Sequence, residues 1–419
     1  MLEVKARLLH RAVFIPEEPI NCELIITNVD KSCQVSENNS YFSTSLLNSL
    51  ETFGKSKQND FKSNDHCATI AWGSAQIYCQ CDINDKKVKI PVLFQKNFKN
   101  SQTSFKPILG KRSHCLYSSE AKIVFCELQL KKNESKTFMY SQSLPLSLPP
   151  SYSGQYLKIS YKVSIGIGGI NQPLCIINLP FKLFEMKCIY KALKTRFQNH
   201  LSDGIAKNQV NEKTKNPFQE DDTDRESSLE ISMDLLTNIT TTKNLNTYNI
   251  QSANGIVGKF CLSKVYYRLG EDVLGMFEFS KSSIPCIKYT VCLQFEESIS
   301  KECLANESVS NLIHYTTVSQ HTECVKMAAK TSFALPIPIT CTSQFTHKIV
   351  SVNWRLHFEF IIEKTSNEDS SNENTFHKNS SIIYVETMLW NLPVHVVSTN
   401  PIQASLMMQS ESSETIYIE

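Results

Sequence analysis

No stretch of this 419-residue chain approaches the ~18 uninterrupted apolar residues of a membrane-crossing helix. Its first residues, Met1-Leu2-Glu3-Val4-Lys5-Ala6-Arg7, carry a charge at every second position. They leave no apolar core for a signal peptide, so a cytoplasmic chain is expected. An excess of one charge is missing too. Lys and Arg number 43 against 41 Asp and Glu, a net charge of +2 and a pI near 7.8. That excludes the basic stripe that holds nucleic acid, and no nucleic-acid partner is expected.

The signatures of bond-making enzymes are also absent. No GxSxG elbow and no HExxH occur. Phe53-Gly54-Lys55-Ser56 ends like a phosphate-binding loop, but Ser49 stands where its first glycine belongs and no strand leads into it. The 15 cysteines form no CxxC pair. In a reducing compartment they read as small buried apolar side chains. Cys79 and Cys81 share one face of a strand, with His66 and Cys67 nearby in sequence. That admits a zinc site, against two small residues facing one core. No catalytic residue, cofactor or metal ligand is assigned.

What is present is a pattern of period two in a chain that is 41% apolar. Val4 to Leu8, Cys22 to Thr27, Trp72 to Cys81, Ile123 to Leu130 and Tyr156 to Ile165 alternate apolar with polar residues, as half-buried antiparallel strands do. Many short strands between Pro, Gly, Asn and Ser turns predict an all-β chain of sandwiches. Ser/Asn/Lys-rich insertions are expected at about 30–66 and 95–115, with a second pair at 298–312 and 364–380.

The strand pattern stops over 185–255, which is expected to link two domains. Within it Met186, Ile189, Tyr190, Leu193 and Phe197 recur at helical spacing between basic residues. Such a helix lies on an anionic membrane, docks on a partner, or packs on its own sandwich. The acidic run Glu220 to Glu226 reads as solvated linker, or as a docking strip with Phe218. The divisions expected are an N-terminal sandwich over 1–184, the linker over 185–255, a C-terminal sandwich over 256–400 and a tail over 401–419.

The second half echoes the first in order. Val13-Phe14-Ile15-Pro16-Glu17-Glu18-Pro19-Ile20 corresponds to Tyr266-Tyr267-Arg268-Leu269-Gly270-Glu271-Asp272-Val273. Ser143-Leu144-Pro145-Leu146 corresponds to Ala334-Leu335-Pro336-Ile337, and Asn178-Leu179-Pro180 to Asn391-Leu392-Pro393. Three short matches in register predict duplication of one sandwich.

Two duplicated sandwiches resemble the arrestin fold, a tandem of immunoglobulin-like sandwiches. Tyr267-Arg268-Leu269-Gly270-Glu271-Asp272-Val273, Thr331 to Pro338 and Trp354-Arg355-Leu356-His357-Phe358-Glu359-Phe360 resemble the Rgp family. So do Ala71 to Ile77 and Pro149-Pro150-Ser151-Tyr152-Ser153-Gly154-Gln155. The resemblance implies a non-catalytic scaffold subunit that pairs with a larger Ric-type subunit. Together they act as guanine-nucleotide exchange factor for a Rab-six-class GTPase, peripherally on the Golgi membrane, in retrograde transport from endosomes. The alternative it leaves is an arrestin- or retromer-like cargo adaptor that binds sorting peptides. By analogy with arrestins, Arg268, Glu271, Asp272 and Arg355 form a charged cluster between the sandwiches, unless they are solvated turn charges.

Overall fold

The alternating stretches are strands. The computed structural model describes residues 1–29, 67–96, 105, 109–168, 174–186, 228–241, 245–306, 311–364, 384–408 and 412–418. The chain is all-β, with β-sandwiches in tandem. The N-terminal part carries β1 (Leu2–Leu8), β2 (Val13–Phe14), β3 (Pro19–Asn28), β4 (Ala68–Ile83), β5 (Ser113–Ser118), β6 (Lys122–Leu130), β7 (Ser135–Ser143), β8 (Tyr152–Ser153), β9 (Leu157–Gly168) and β10 (Cys175–Leu183). Helix α1 (Ser228–Thr241) follows. The second part carries β11 (Asn246–Ser252), β12 (Gly255–Leu262), β13 (Tyr266–Arg268), β14 (Asp272–Glu278), β15 (Cys286–Ile299), β16 (Leu312–Cys324), β17 (Lys330–Pro336), β18 (Phe345–Thr346), β19 (Val350–Glu363) and β20 (Val385–Val397). Helix α2 (Pro401–Met407) and β21 (Ser413–Ile418) close the chain.

Both copies have one topology. One sheet of the first runs β21-β1-β3-β7, and its counterpart in the second runs β11-β12-β14-β17. The facing sheets run β2-β10-β9-β4-β5 and β13-β20-β19-β15-β16, with β8 and β18 each pairing the strand β9 or β19. The short strands β2 and β13 join the last strand of their copies in parallel, through Lys182 opposite Val13 and His395 opposite Tyr266. The Asn-Leu-Pro match is therefore a true correspondence.

The middle match needs a shift of two residues. Ser143 lies opposite Pro19 and Pro336 opposite Asp272. Ser143 thus corresponds to Pro336, and Leu144 to Ile337. A slip of two leaves every side chain on its own face, so alternation alone does not reveal it.

Alternation sets the cores. On β3, Ile20, Cys22, Leu24 and Ile26 are buried; on β19, Val352, Trp354, Leu356, Phe358, Phe360 and Ile362 are. The second core is aromatic. The Phe260 ring lies 4.9 Å from Phe277 and 5.1 Å from Phe358, within the range of edge-to-face and offset contacts. Tyr161 donates its hydroxyl to the Pro149 carbonyl at 2.5 Å, and the corresponding Trp354 donates Nε1 to the Thr342 carbonyl at 3.2 Å. At this position each copy buries a large amphipathic ring and satisfies its polar end with a loop carbonyl.

Several expected boundaries move. The linker ends before 255, because Asn246–Ser252 is a strand paired with β12. Its apolar members are only Tyr248 and Ile250, on either side of Asn249, too short a run to stand out as alternation. Helix α1 lies where Thr and Asn suggested no structure. Its Leu236 and Ile239 are buried, and its threonines satisfy themselves on carbonyls one turn back, as Thr240 does on Leu236 at 2.8 Å.

The segment expected as a tail carries a helix and a strand, over 401–407 and 413–418. Asn400 caps α2 by accepting from the Ile402 amide, and β21 pairs antiparallel with β1, Leu2 opposite Ile418. β21 thereby fills in the first copy the place that β11 fills in the second. Two insertions are also smaller than expected. In 95–115, Phe105 packs on Tyr78 and β5 begins at Ser113; in 298–312, Cys303 and Leu304 are buried. Residues 30–66, with the Phe53–Ser56 sequence and His66, lie outside the described residues. No described helix is long and apolar enough to cross a membrane.

Candidate functional site: the junction between the sandwiches

The two copies meet at equivalent elements. β8 and β18 face one another, and the Tyr152 and Phe345 rings lie 5.4 Å apart, edge to face. Val88 bridges to Leu304, Lys89 donates its amide to the Cys303 carbonyl at 2.8 Å, and Ala305 donates to the Lys87 carbonyl at 3.0 Å. Apolar side chains of both copies form one continuous core here, with Ile83, Val88, Tyr156, Ile299, Leu304, Ile349 and Val352 among its members. An apolar junction of this kind sets the two sandwiches in one relative orientation.

Glu297 is the polar centre of the junction. It is 0% exposed on β15. The N-terminal copy satisfies it: the Gln155 amide donates to Oε2 at 2.7 Å and the Tyr156 amide to Oε1 at 3.2 Å. Both amides follow Gly154, where a side chain would meet the Tyr152 ring and stand 2.6 Å from Glu297 Oε1. Only glycine lets that turn approach the carboxylate. Register places Cys81 at the matching position of the first copy, since Cys81 lies opposite Ile159 and Glu297 opposite Val352. After duplication, one copy keeps an apolar residue there and the other a carboxylate.

Burial holds the Glu297 carboxyl above its usual 4.5, outweighing the two amides that act in the opposite direction. The folded protein therefore retains a proton that the unfolded chain has released. Its contribution is fully present below 4.5 and is lost as pH rises through the folded value. Melting temperature measured at steps from pH ~4.5 to ~7 is expected to fall more steeply with rising pH for wild type than for Glu297→Gln. Parallel curves would count against an ionising Glu297. A cavity of about 320 Å³ adjoins the junction, lined by Tyr152, Phe181, Leu183, Leu269, Phe295 and Val352 among others.

The residues singled out from sequence do not form one cluster. Glu271 accepts from Lys264 Nζ at 2.6 Å and from the Arg268 amide at 2.9 Å. The first copy repeats this arrangement: Glu18 pairs with Arg11 and accepts from the Ile15 amide at 3.3 Å. The residue between the copies' paired groups is left-handed in both, Glu17 at φ 68 and Gly270 at φ 89. Glu271 is thus a turn lock inherited through duplication, a role already visible in the aligned Glu18.

Arg268 donates Nε to Thr240 of α1 at 2.7 Å. Asp272 is exposed at the start of β14. Arg355 lies on β19 of the facing sheet, opposite Pro393. It donates to Gln294 Oε1 at 3.0 and 3.1 Å and stacks 3.7 Å from the Tyr315 ring centre. Arg355 is satisfied by the neighbouring strands β15 and β16, and Arg268 by α1, so the charges have no common partner.

Met186 is buried in a seam with Val13, Ile15, Phe184, Leu236, Ile239 and Val397. Ile189, Tyr190, Leu193 and Phe197 lie outside the described residues, as do Phe218 and the acidic run. Cys79 and Cys81 are fully buried, and burial pushes the Cys81 thiol up to about 12. Among the described residues no group of three or more metal-binding side chains occurs. Sequence reasoning missed Glu297, which lies in an unremarkable Glu296-Glu297 pair. The period-two phase of β15, which puts it on the inward face with Phe295 and Ile299 as neighbours, was the available signal.

The Rgp1 family model matches residues 38–187 and 185–363. Human RAB6A-GEF complex partner protein 2 is 32% identical over the full length of both chains. Its bovine counterpart is 31% identical over 94% of this chain and 93% of its own.

Proposed function

Since this chain belongs to the Rgp1 family, we propose that it is the non-catalytic scaffold subunit of a heterodimeric guanine-nucleotide exchange factor for a Rab6-class GTPase. The observation that carries this reading is end-to-end similarity to proteins named as partners in a RAB6A-GEF complex. In this reading a larger Ric-type subunit is the obligate partner. The complex works peripherally on cytoplasmic Golgi membrane, in retrograde transport from endosomes.

The mechanism asks for shape rather than bond chemistry. An exchange factor stabilises the nucleotide-free GTPase by drawing its switch segments away from Mg²⁺ and phosphate. Two sandwiches of arrestin type, held in fixed relation through Glu297 and a shared apolar core, provide a rigid support for such a surface. Native mass spectrometry of the chain purified from its own cells tests the reading. A one-to-one assembly with a larger subunit supports it; a lone chain, or one carrying receptor tails, overturns it.

The cargo-adaptor alternative has one favourable observation. β20 pairs with β13 only through His395 to Val397, so Val385 to Asn391 present a free strand edge among the described residues, with Val385 and Leu389 exposed. Such an edge can accept an added peptide strand. Recovery of receptor tails in pull-downs, lost on Leu389→Pro, would favour this role.

A further inference from the structure

β4 ends at Ile83, and before β5 the chain crosses from the N-terminal copy onto the C-terminal one. The crossing segment, residues 84–96, is pinned along its length. The Asn84 amide donates to the Tyr156 carbonyl, the Lys89 amide to Cys303 of the other copy and the Lys96 amide to Cys115 of β5, each at 2.8 Å. Val88 and Ile90 are buried in the shared core. Pro91 then opens a single 3-10 turn, Val92–Phe94. Phe94 closes it by donating its amide to the Pro91 carbonyl at 2.9 Å, and Gln95 Nε2 donates to the Ile90 carbonyl at 2.8 Å.

This fixed turn holds two large apolar side chains in water. Val92 is 72% exposed and Leu93 94%, so Leu93 touches almost none of its own chain. Single exposed apolar residues need no explanation, but two in succession on a projecting tip gain nothing from folding. The surroundings are cationic. Lys86, Lys87 and Lys96 of the segment are exposed, and so are Lys301 and Lys348 of the C-terminal stretches it touches. Lys301 closely precedes Cys303, and Lys348 Nζ stands 5.8 Å from the centre of the half-buried Phe94 ring. The carboxylates in these stretches are Asp85, which pairs with Arg112 at 3.2 Å, and Glu302.

An apolar tip with lysines around it selects the occupant. Lysine is depleted from protein–protein contacts, where burying its charge is costly. An anionic bilayer asks for both features: its headgroups attract lysines, and its acyl boundary takes up apolar side chains. We propose that residues 84–96 form a membrane-docking loop, with Val92 and Leu93 entering the acyl boundary of an anionic bilayer and Lys86, Lys87, Lys301 and Lys348 at its headgroups. This assignment does not rest on the exchange reading, because vesicle binding needs neither GTPase nor larger subunit. It gives the junction a second task. The Tyr156 carbonyl accepts from Asn84 while the Tyr156 amide donates to Glu297, so the contact that joins the copies also fixes the base of the loop.

Co-sedimentation of the full-length protein with vesicles tests it. Vesicles of phosphatidylcholine alone are compared with vesicles of phosphatidylcholine and phosphatidylserine in roughly a four-to-one ratio. Binding to the second and not the first is expected, weakening as salt is raised. Leu93→Ser, and Lys86→Glu combined with Lys301→Glu, are each expected to weaken it on the order of tenfold. Melting temperature should not change, because these side chains are exposed. Equal binding to both vesicle types, no binding to either, or wild-type binding by Leu93→Ser or by the lysine pair overturns the proposal. So does a Leu93→Ser chain that keeps its vesicle binding and loses the larger subunit, since the tip is then a protein contact.

Discussion

Glu297→Ala is expected to uncouple the two sandwiches and to lower the stability of the junction by about 2–5 kcal/mol. The substitution leaves the Gln155 and Tyr156 amides buried without an acceptor, at about 1–3 kcal/mol each. Removing the carboxylate also removes its own desolvation, which keeps the loss below the sum of two strong hydrogen bonds. Glu297→Gln retains one acceptor oxygen and is expected to lose less. Calorimetry distinguishes uncoupling from general destabilisation: the alanine variant should show two separated transitions where wild type shows a merged one. A single transition at the wild-type temperature would mean that the apolar contacts alone hold the junction.

Ending the chain after Thr399 is expected to have a comparable or larger effect, on the N-terminal sandwich. The deletion removes β21, which pairs six residues of β1 from Leu2 to Arg7. It removes Ala404 from the seam that contains Val13 and Ile15, and the Ser405 acceptor of the buried Ala12 amide. It also removes Glu414, which accepts from the Asn178 amide at 2.9 Å. The combined loss is on the order of 3–6 kcal/mol, a large part of the stability of one domain. β1 would then present a bare edge, so aggregation is expected alongside unfolding. Limited proteolysis should cut the truncated N-terminal copy and spare the C-terminal one. Equal resistance of both copies would remove β21 from the account of that sandwich.

Much of this architecture is legible in the sequence because sandwiches write their inward faces at period two. Cys22 to Thr27 and Tyr156 to Ile165 are read correctly for that reason, and the two copies share one topology. The turn lock at Glu271 follows from the repeat once Glu18 is aligned with it. What alternation does not report is long-range pairing. β21 is a short polar-and-apolar strand about four hundred residues from its partner β1, and nothing local in Ser413–Ile418 names that partner. β11 and α1 are hidden for a different reason: β11 has only two apolar members and Thr and Asn crowd the end of α1, while tertiary burial of Ile250, Leu236 and Ile239 decides their conformation. The junction was hardest to see, since a buried glutamate and a solvated one are written with the same letter. Its other half, Pro149 to Gln155, carries part of the family resemblance, and the structure gives the physical reason that Gly154 is needed there.

In the proposed function this chain supports nucleotide exchange without performing it alone. Release of a fluorescent guanine nucleotide from a Rab6-class GTPase measures this directly, with the chain alone, the larger subunit alone, and both. Release near the spontaneous rate is expected with this chain alone, and fast release with the two subunits together. Full exchange by the isolated chain would contradict it.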